Sequence, residues 1–150
     1  MKTKLSIFLS AFLLFFLSAC GSIPKSEKVP MDLTPVDLTI LAQQESDKNN
    51  YRGAKAYYQI MIDRYTTDAA VVTAGEFEIA HILIKQSRYE KASIMLKRVL
   101  SRFEGASGTM LPQKYRKLAE NDLKRIEPKL KKQKNSKLPK DDSIEAEPIK

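Results

Sequence analysis

The sequence is short of the residues that carry out chemistry. Its 150 residues hold one cysteine, Cys20, and one histidine, His81. Ser/His or Cys/His nucleophilic catalysis and a His/Cys zinc site therefore lack their parts. Five glycines and no tryptophan are present, and the glycines form no phosphate-binding loop. Glu76 and Glu78 lie close in sequence, but two positions apart on a helix they point to different faces. A single cysteine allows no internal disulfide. These absences lead us to expect a chain that is not an enzyme and holds no cofactor or metal.

What the sequence does have begins with Lys2 and Lys4, followed by a short apolar run from Leu5 to Leu17. A membrane-spanning helix takes about 20 apolar residues, so this run suits a secretory signal instead. It ends in Leu17-Ser18-Ala19-Cys20-Gly21, which resembles the lipobox of bacterial lipoprotein signal peptides. The resemblance implies removal of residues 1–19, a diacylglyceryl thioether on Cys20 and an acyl chain on its new amino group. Each buried methylene contributes about 0.8 kcal/mol, and two or more chains give lasting attachment. Export also disfavours nucleic acid as a partner. Gly21 after the lipidated cysteine is compatible with transfer to the outer membrane, and the expected location is its periplasmic face.

Loss of the signal takes two lysines with it and lowers the formal charge from +8 to +6. What remains, from Cys20 to Lys150, suffices for one small domain. Residues 20–33, with Pro24 and Pro30 and no apolar period, read as the lipidated cysteine and a flexible tether that lets the domain stand off the membrane. Residues 34–127 read as the folded domain. From Pro128 to Lys150 the sequence reads as a disordered, lysine-rich tail.

Within the domain one pattern occurs twice. Tyr51, Ala54, Tyr58, Met61, Ile62, Arg64 and Tyr65 are matched by Tyr89, Ala92, Leu96, Val99, Leu100, Arg102 and Phe103, every pair at the same offset along the chain. Leu41-Ala42 and Ile79-Ala80 repeat at that offset too. A fixed period of this size is the signature of stacked helical hairpins. The helices are expected at about 34–47, 52–65, 69–86, 89–103 and 112–127. Thr34-Pro35-Val36-Asp37 supplies a strong helix start. Gly75 inside the third helix implies a close neighbour or a kink. Tyr115, Leu118, Ala119, Leu123 and Ile126 form the apolar face of the fifth helix, which Glu127-Pro128 is expected to close.

Tyr89-Glu90-Lys91-Ala92 with Ile79-Ala80 upstream resembles the tetratricopeptide repeat. Behind a lipobox, long-period repeats resemble a shortened form of the outer-membrane assembly lipoproteins of the BamD type. The resemblance covers residues 35–127. It implies an all-α fold of tetratricopeptide-like hairpins: two repeats plus a closing C-terminal helix, about five helices in a right-handed superhelix. It also implies a partner-binding groove lined by Thr39, Gln43 and Asp47, by Phe77, His81, Ile84 and Lys85, and by Arg116, Glu120 and Lys124. Thr66 and Glu104 stand where the repeat usually has proline, and the chain has fewer repeats than that type.

Two repeats bury little apolar surface, so the fifth helix must cover the open end of the second; otherwise self-association or a partner covers it. The function expected is a lipid-anchored adaptor or scaffold of the cell envelope, binding an envelope protein in outer-membrane protein assembly. The alternative is a structural envelope lipoprotein whose basic tail meets peptidoglycan or anionic lipid, or a lipoprotein displayed on the cell surface.

Overall fold

The computed structural model describes residues 22–137. The expected signal peptide, the lipidation site Cys20 and the tail beyond residue 137 lie outside the described residues. Five helices follow in order: α1 Pro35–Asp47, α2 Tyr51–Arg64, α3 Ala69–Lys85, α4 Tyr89–Ser101 and α5 Gln113–Lys137. Each packs on the next as an antiparallel hairpin, and α5 also lies against α3. Two 3-10 turns, Ser26–Lys28 and Ala106–Met110, complete the described structure, which holds no strand.

Local chemistry sets the helix starts. Thr34 and Asp37 form a capping box, the Asp37 N–H donating to Thr34 Oγ1 at 3.2 Å and the Thr34 N–H to Asp37 Oδ2 at 2.9 Å. The Thr34 hydroxyl, which donates to Asp37 Oδ2 at 2.6 Å, and then the Thr34 N–H hold the Asp37 carboxyl below its usual range. Asn50 Oδ1 accepts the Gly53 N–H, and Asp68 Oδ1 accepts those of Ala70 and Val71. The repeat is equally clear at the helix ends. Asn49 and Ser87 both adopt a left-handed backbone, with φ of 60° and 57°. In both turns the next N–H reaches back to the helix before it, Asn50 to the Glu45 carbonyl and Arg88 to the Leu83 carbonyl, each at 2.8 Å. This is the Schellman stop, made without glycine.

The repeat also sets the core. Ala42, Ala54, Tyr58 and Met61 are buried, as are their equivalents Ala80, Ala92, Leu96 and Val99. Gly75 marks a close approach: a β-carbon there would meet Ile62 Cγ1 at 2.7 Å, so α2 and α3 touch where no side chain fits.

Three expectations are corrected. First, α5 does not stop at Pro128 but runs through it to Lys137. An internal proline costs about 3 kcal/mol. Packing beyond it offsets that cost: Leu130 lies on the core, Gln133 Nε2 donates to the Ser87 carbonyl, and Lys129 Nζ sits 5.3 Å over the Tyr89 ring. Second, residues 22–33 are a docked strap and not a loose tether. Val29 is 6% exposed, Arg64 donates to the carbonyls of Val29 and Pro30 at 2.7 and 2.6 Å, and the Tyr65 hydroxyl donates to that of Leu33. Third, Leu118 is exposed, because Tyr115, Ala119, Asp122 and Ile126 carry the contact face of α5.

Candidate functional site

The residues expected to line a groove do not form one surface. Gln43, Asp47, Lys85, Arg116, Glu120 and Lys124 are exposed. Arg116 and Glu120 pair with each other along α5 at 3.2 Å. Thr39 is half-buried, its hydroxyl donating to the Pro35 carbonyl at 2.8 Å. Phe77 and Ile84 belong to the hydrophobic core, which corrects their assignment to a partner-binding face. Phe77 is covered because α5 lies across it, with the Tyr115 ring centroid 5.5 Å away.

His81 belongs to this α3–α5 seam as well. Its Nδ1 lies 2.8 Å from Asp122 Oδ2, while Asp122 Oδ1 accepts from Arg125 at 2.7 Å. Asp122 is 7% exposed. Sequence reasoning passed over it, although it stands between Ala119 and Ile126 at helical spacing, inside the apolar stripe. Glu78 sits at the edge of the same seam, where burial pushes its carboxyl up despite the nearby charges of His81, Lys85 and Lys114. On the other side of α3, Glu76 is clamped by Arg98 at 3.1 Å and Arg102 at 2.9 Å, from α4 and its C-terminal cap. The two carboxylates thus serve different helix contacts, as their spacing requires. The seam joins α3 to α5 and the clamp joins α3 to α4.

Open concave surface occurs elsewhere. A groove of about 390 Å³ runs between α4 and α5, lined by Ser93, Ile94 and Leu130 and rimmed by Lys97, Lys131, Lys134, Glu90 and Glu127, with Lys131 paired to Glu127 at 2.9 Å. Ile94 is 69% exposed there. An apolar floor with a charged rim of both signs is a surface that receives an apolar side chain from a polar segment. Among the described residues no group of three or more His, Cys, Asp or Glu side chains is placed to hold a metal. No helix among them is long and apolar enough to cross a membrane.

Fold and surface together define a small all-α stack of helical hairpins. The chain is homologous to an uncharacterized protein of Treponema pallidum (strain Nichols), 42% identical over 116 residues. The match takes in 77% of this chain and 46% of that protein, so the chain spans about half the length of the relative. No family model matches the chain, and no solved structure matches it.

Proposed function

We propose that this protein is a lipid-anchored, protein-binding adaptor of the bacterial cell envelope, resembling a shortened BamD-type lipoprotein and acting in outer-membrane protein assembly. The observation that carries the reading is the coupling of Leu17-Ser18-Ala19-Cys20 to a repeated hairpin whose period extends to the turns and the core. Hairpin stacks of this kind present surface and bind other chains. On the described surface, the α4–α5 groove around Ile94 is the place for a partner's apolar side chain. Cys20 supplies the membrane attachment through its acyl chains.

The test is co-purification from detergent-solubilised membranes of the full chain and of an Ile94→Glu variant. The reading expects an outer-membrane assembly protein to be recovered with the unmodified chain and lost with the variant. Recovery of cell-wall polymer without any protein would sink it. Fractionation of a Cys20→Ser variant tests the anchor separately, since that protein should leave the membrane fraction.

A further inference from the structure

The strap fixes where an anchor leaves the domain. Asn50 Nδ2, at the α1–α2 turn, donates to the Ser22 carbonyl at 3.0 Å. The strap then runs along α2 to Arg64, which holds its far end. Cys20 precedes Ser22 by two positions, and two extended residues reach about 7 Å at most. A lipid on Cys20 therefore brings the headgroup plane against the α1–α2 turn.

The other elements that reach this end are basic. Lys55 Nζ donates to Gln86 Oε1 at 3.0 Å, which places the α3–α4 turn beside the start of α2. Gln133 bonds to the Ser87 carbonyl there, so the last turns of α5 reach the same end. Arg52, Lys55, Arg88 and Lys91 cluster across these turns, with Lys129 over the Tyr89 ring beside them. Burial first, and then the charges of Arg88, Lys91 and Arg52, push the Lys55 ammonium down. Of the carboxylates nearby, Glu45 pairs with Lys48 and Glu127 with Lys131, while Asp47 and Glu90 stand beside the cluster. The opposite end differs. Its arginines 64 and 102 are committed to strap carbonyls and to Glu76, beside Asp63, Asp68 and Glu104. A like-charge cluster weakens the fold that carries it, so an outside anion accounts for it better than internal packing does.

We infer that the turn end formed by α1–α2, α3–α4 and the last turns of α5 is a docking face for anionic phospholipid headgroups, placed beside the anchor so that the domain sits turn-end down on its membrane. The inference rests on the anchored reading of Cys20. It sets the orientation of the domain, which leaves the end carrying the α2–α3 turn facing away from the bilayer.

The test uses the full acylated protein in vesicles containing headgroup nitroxide-labelled lipid. A fluorophore is placed on Gln44→Cys near the turn end or on Thr67→Cys at the far end. In phosphatidylglycerol-containing vesicles, quenching should be stronger at position 44 than at 67. The difference should shrink in phosphatidylcholine alone and at high salt. Each cation near an anionic surface contributes about fivefold, so Arg52→Gln, Arg88→Gln and Lys91→Gln together should reduce the preference about a hundredfold. High salt on the unmodified protein checks the same point without any variant. Equal quenching at both positions in an acylated protein overturns the inference alone and assigns the basic end to another polyanion. A difference that is unchanged by lipid charge and salt also overturns it, because anchor length then sets the orientation. Absence of acyl groups on Cys20 by mass spectrometry overturns the anchored reading, and the inference falls with it.

Discussion

Arg64 and Arg102 are equivalent in the repeat, each at the exit of the second helix of its hairpin, and they hold different things. Arg64 donates to backbone carbonyls of the strap, while Arg102 joins Arg98 on the carboxylate of Glu76. The position equivalent to Glu76 in the first hairpin is Leu38, which is fully buried. With a leucine at that place, Arg64 finds no anion in α1 and takes oxygens from the chain that precedes it. The repeat therefore fixes a cation at each hairpin's exit, and the neighbouring segment decides what neutralises it. The same holds for cover. The strap covers the first hairpin and α5 covers the second, since neither pair of helices buries enough surface alone.

The severest way to break that parallel is to remove a cover. Deleting residues 112–137 strips Ala119, Ile126, Leu123 and Leu130 from the core and exposes Phe77. A cooperative thermal transition by circular dichroism should disappear. A sharp transition that survives the deletion would mean the two hairpins are self-sufficient. Next in size is the clamp. Glu76→Ala leaves two arginines without their shared carboxylate and should cost about 2 kcal/mol in urea unfolding. Arg98 and Arg102 keep access to water, with side chains 57% and 33% exposed, so the loss stays below that of a fully buried pair. Glu76→Leu copies the first hairpin and should cost less than Glu76→Ala, because apolar packing replaces the ion pair. If leucine proves as damaging as alanine, the two positions are not equivalent in packing.

Arg64→Ala tests the first hairpin in turn. It should cost about 1 kcal/mol globally, with a larger local effect. Amides of residues 26–29 should lose hydrogen-exchange protection and the strap should become open to protease, while α3 and α4 keep their protection. Unchanged protection of the strap would show that Val29 and Tyr65 hold it without the arginine.

Most of the helical frame was legible in the sequence because its signals are local. Thr34-Pro35 announces a helix start through its side chain and ring, and the apolar period names much of the buried face. What was not legible depends on contacts between distant segments. Pro128 reads as a stop, and only the docking of Leu130 and Gln133 on the second hairpin carries α5 through it. The strap has no apolar period; its order comes from Arg64, Asn50 and Tyr65, which lie far along the chain on and beside α2. The groove assignment failed at Phe77 and Ile84 for a related reason. A helix face that would be open in a longer array is closed here by α5.

Position 78 carries the comparison into solution chemistry. Its equivalent is Ile40, which is 46% exposed, whereas Glu78 is half-buried beside Lys114 and Asp122 of α5. Burial raises the Glu78 carboxyl, so the folded protein binds that proton more tightly than the unfolded chain does. The penalty for ionising it is absent below the ordinary glutamate range, about pH 4, and fully present once the pH exceeds the raised folded value. Glu78→Gln should therefore melt above the parent at neutral pH, with the gap closing as the pH falls towards about 4. A gap independent of pH would place the effect in packing and not in charge.

The smallest effect concerns the turns that the two hairpins share. Asn49 and Ser87 occupy the same left-handed position, and each accepts the hydroxyl of the tyrosine two positions on, at 3.0 and 3.2 Å. Asparagine tolerates that backbone and serine does not, at a cost of about 1–2 kcal/mol for an ordinary side chain. Glycine removes the strain but adds disorder to the unfolded chain, worth about 0.5–1 kcal/mol. Ser87→Gly should therefore gain about 0.5 kcal/mol in urea unfolding, and Asn49→Gly should be close to neutral. Equal gains at both positions would mean that the asparagine is as strained as the serine, and that residue type does not separate these turns. A loss at position 87 would instead give the Tyr89–Ser87 hydrogen bond more weight than the backbone strain, and the same bond at Asn49 would then have to be weighed the same way.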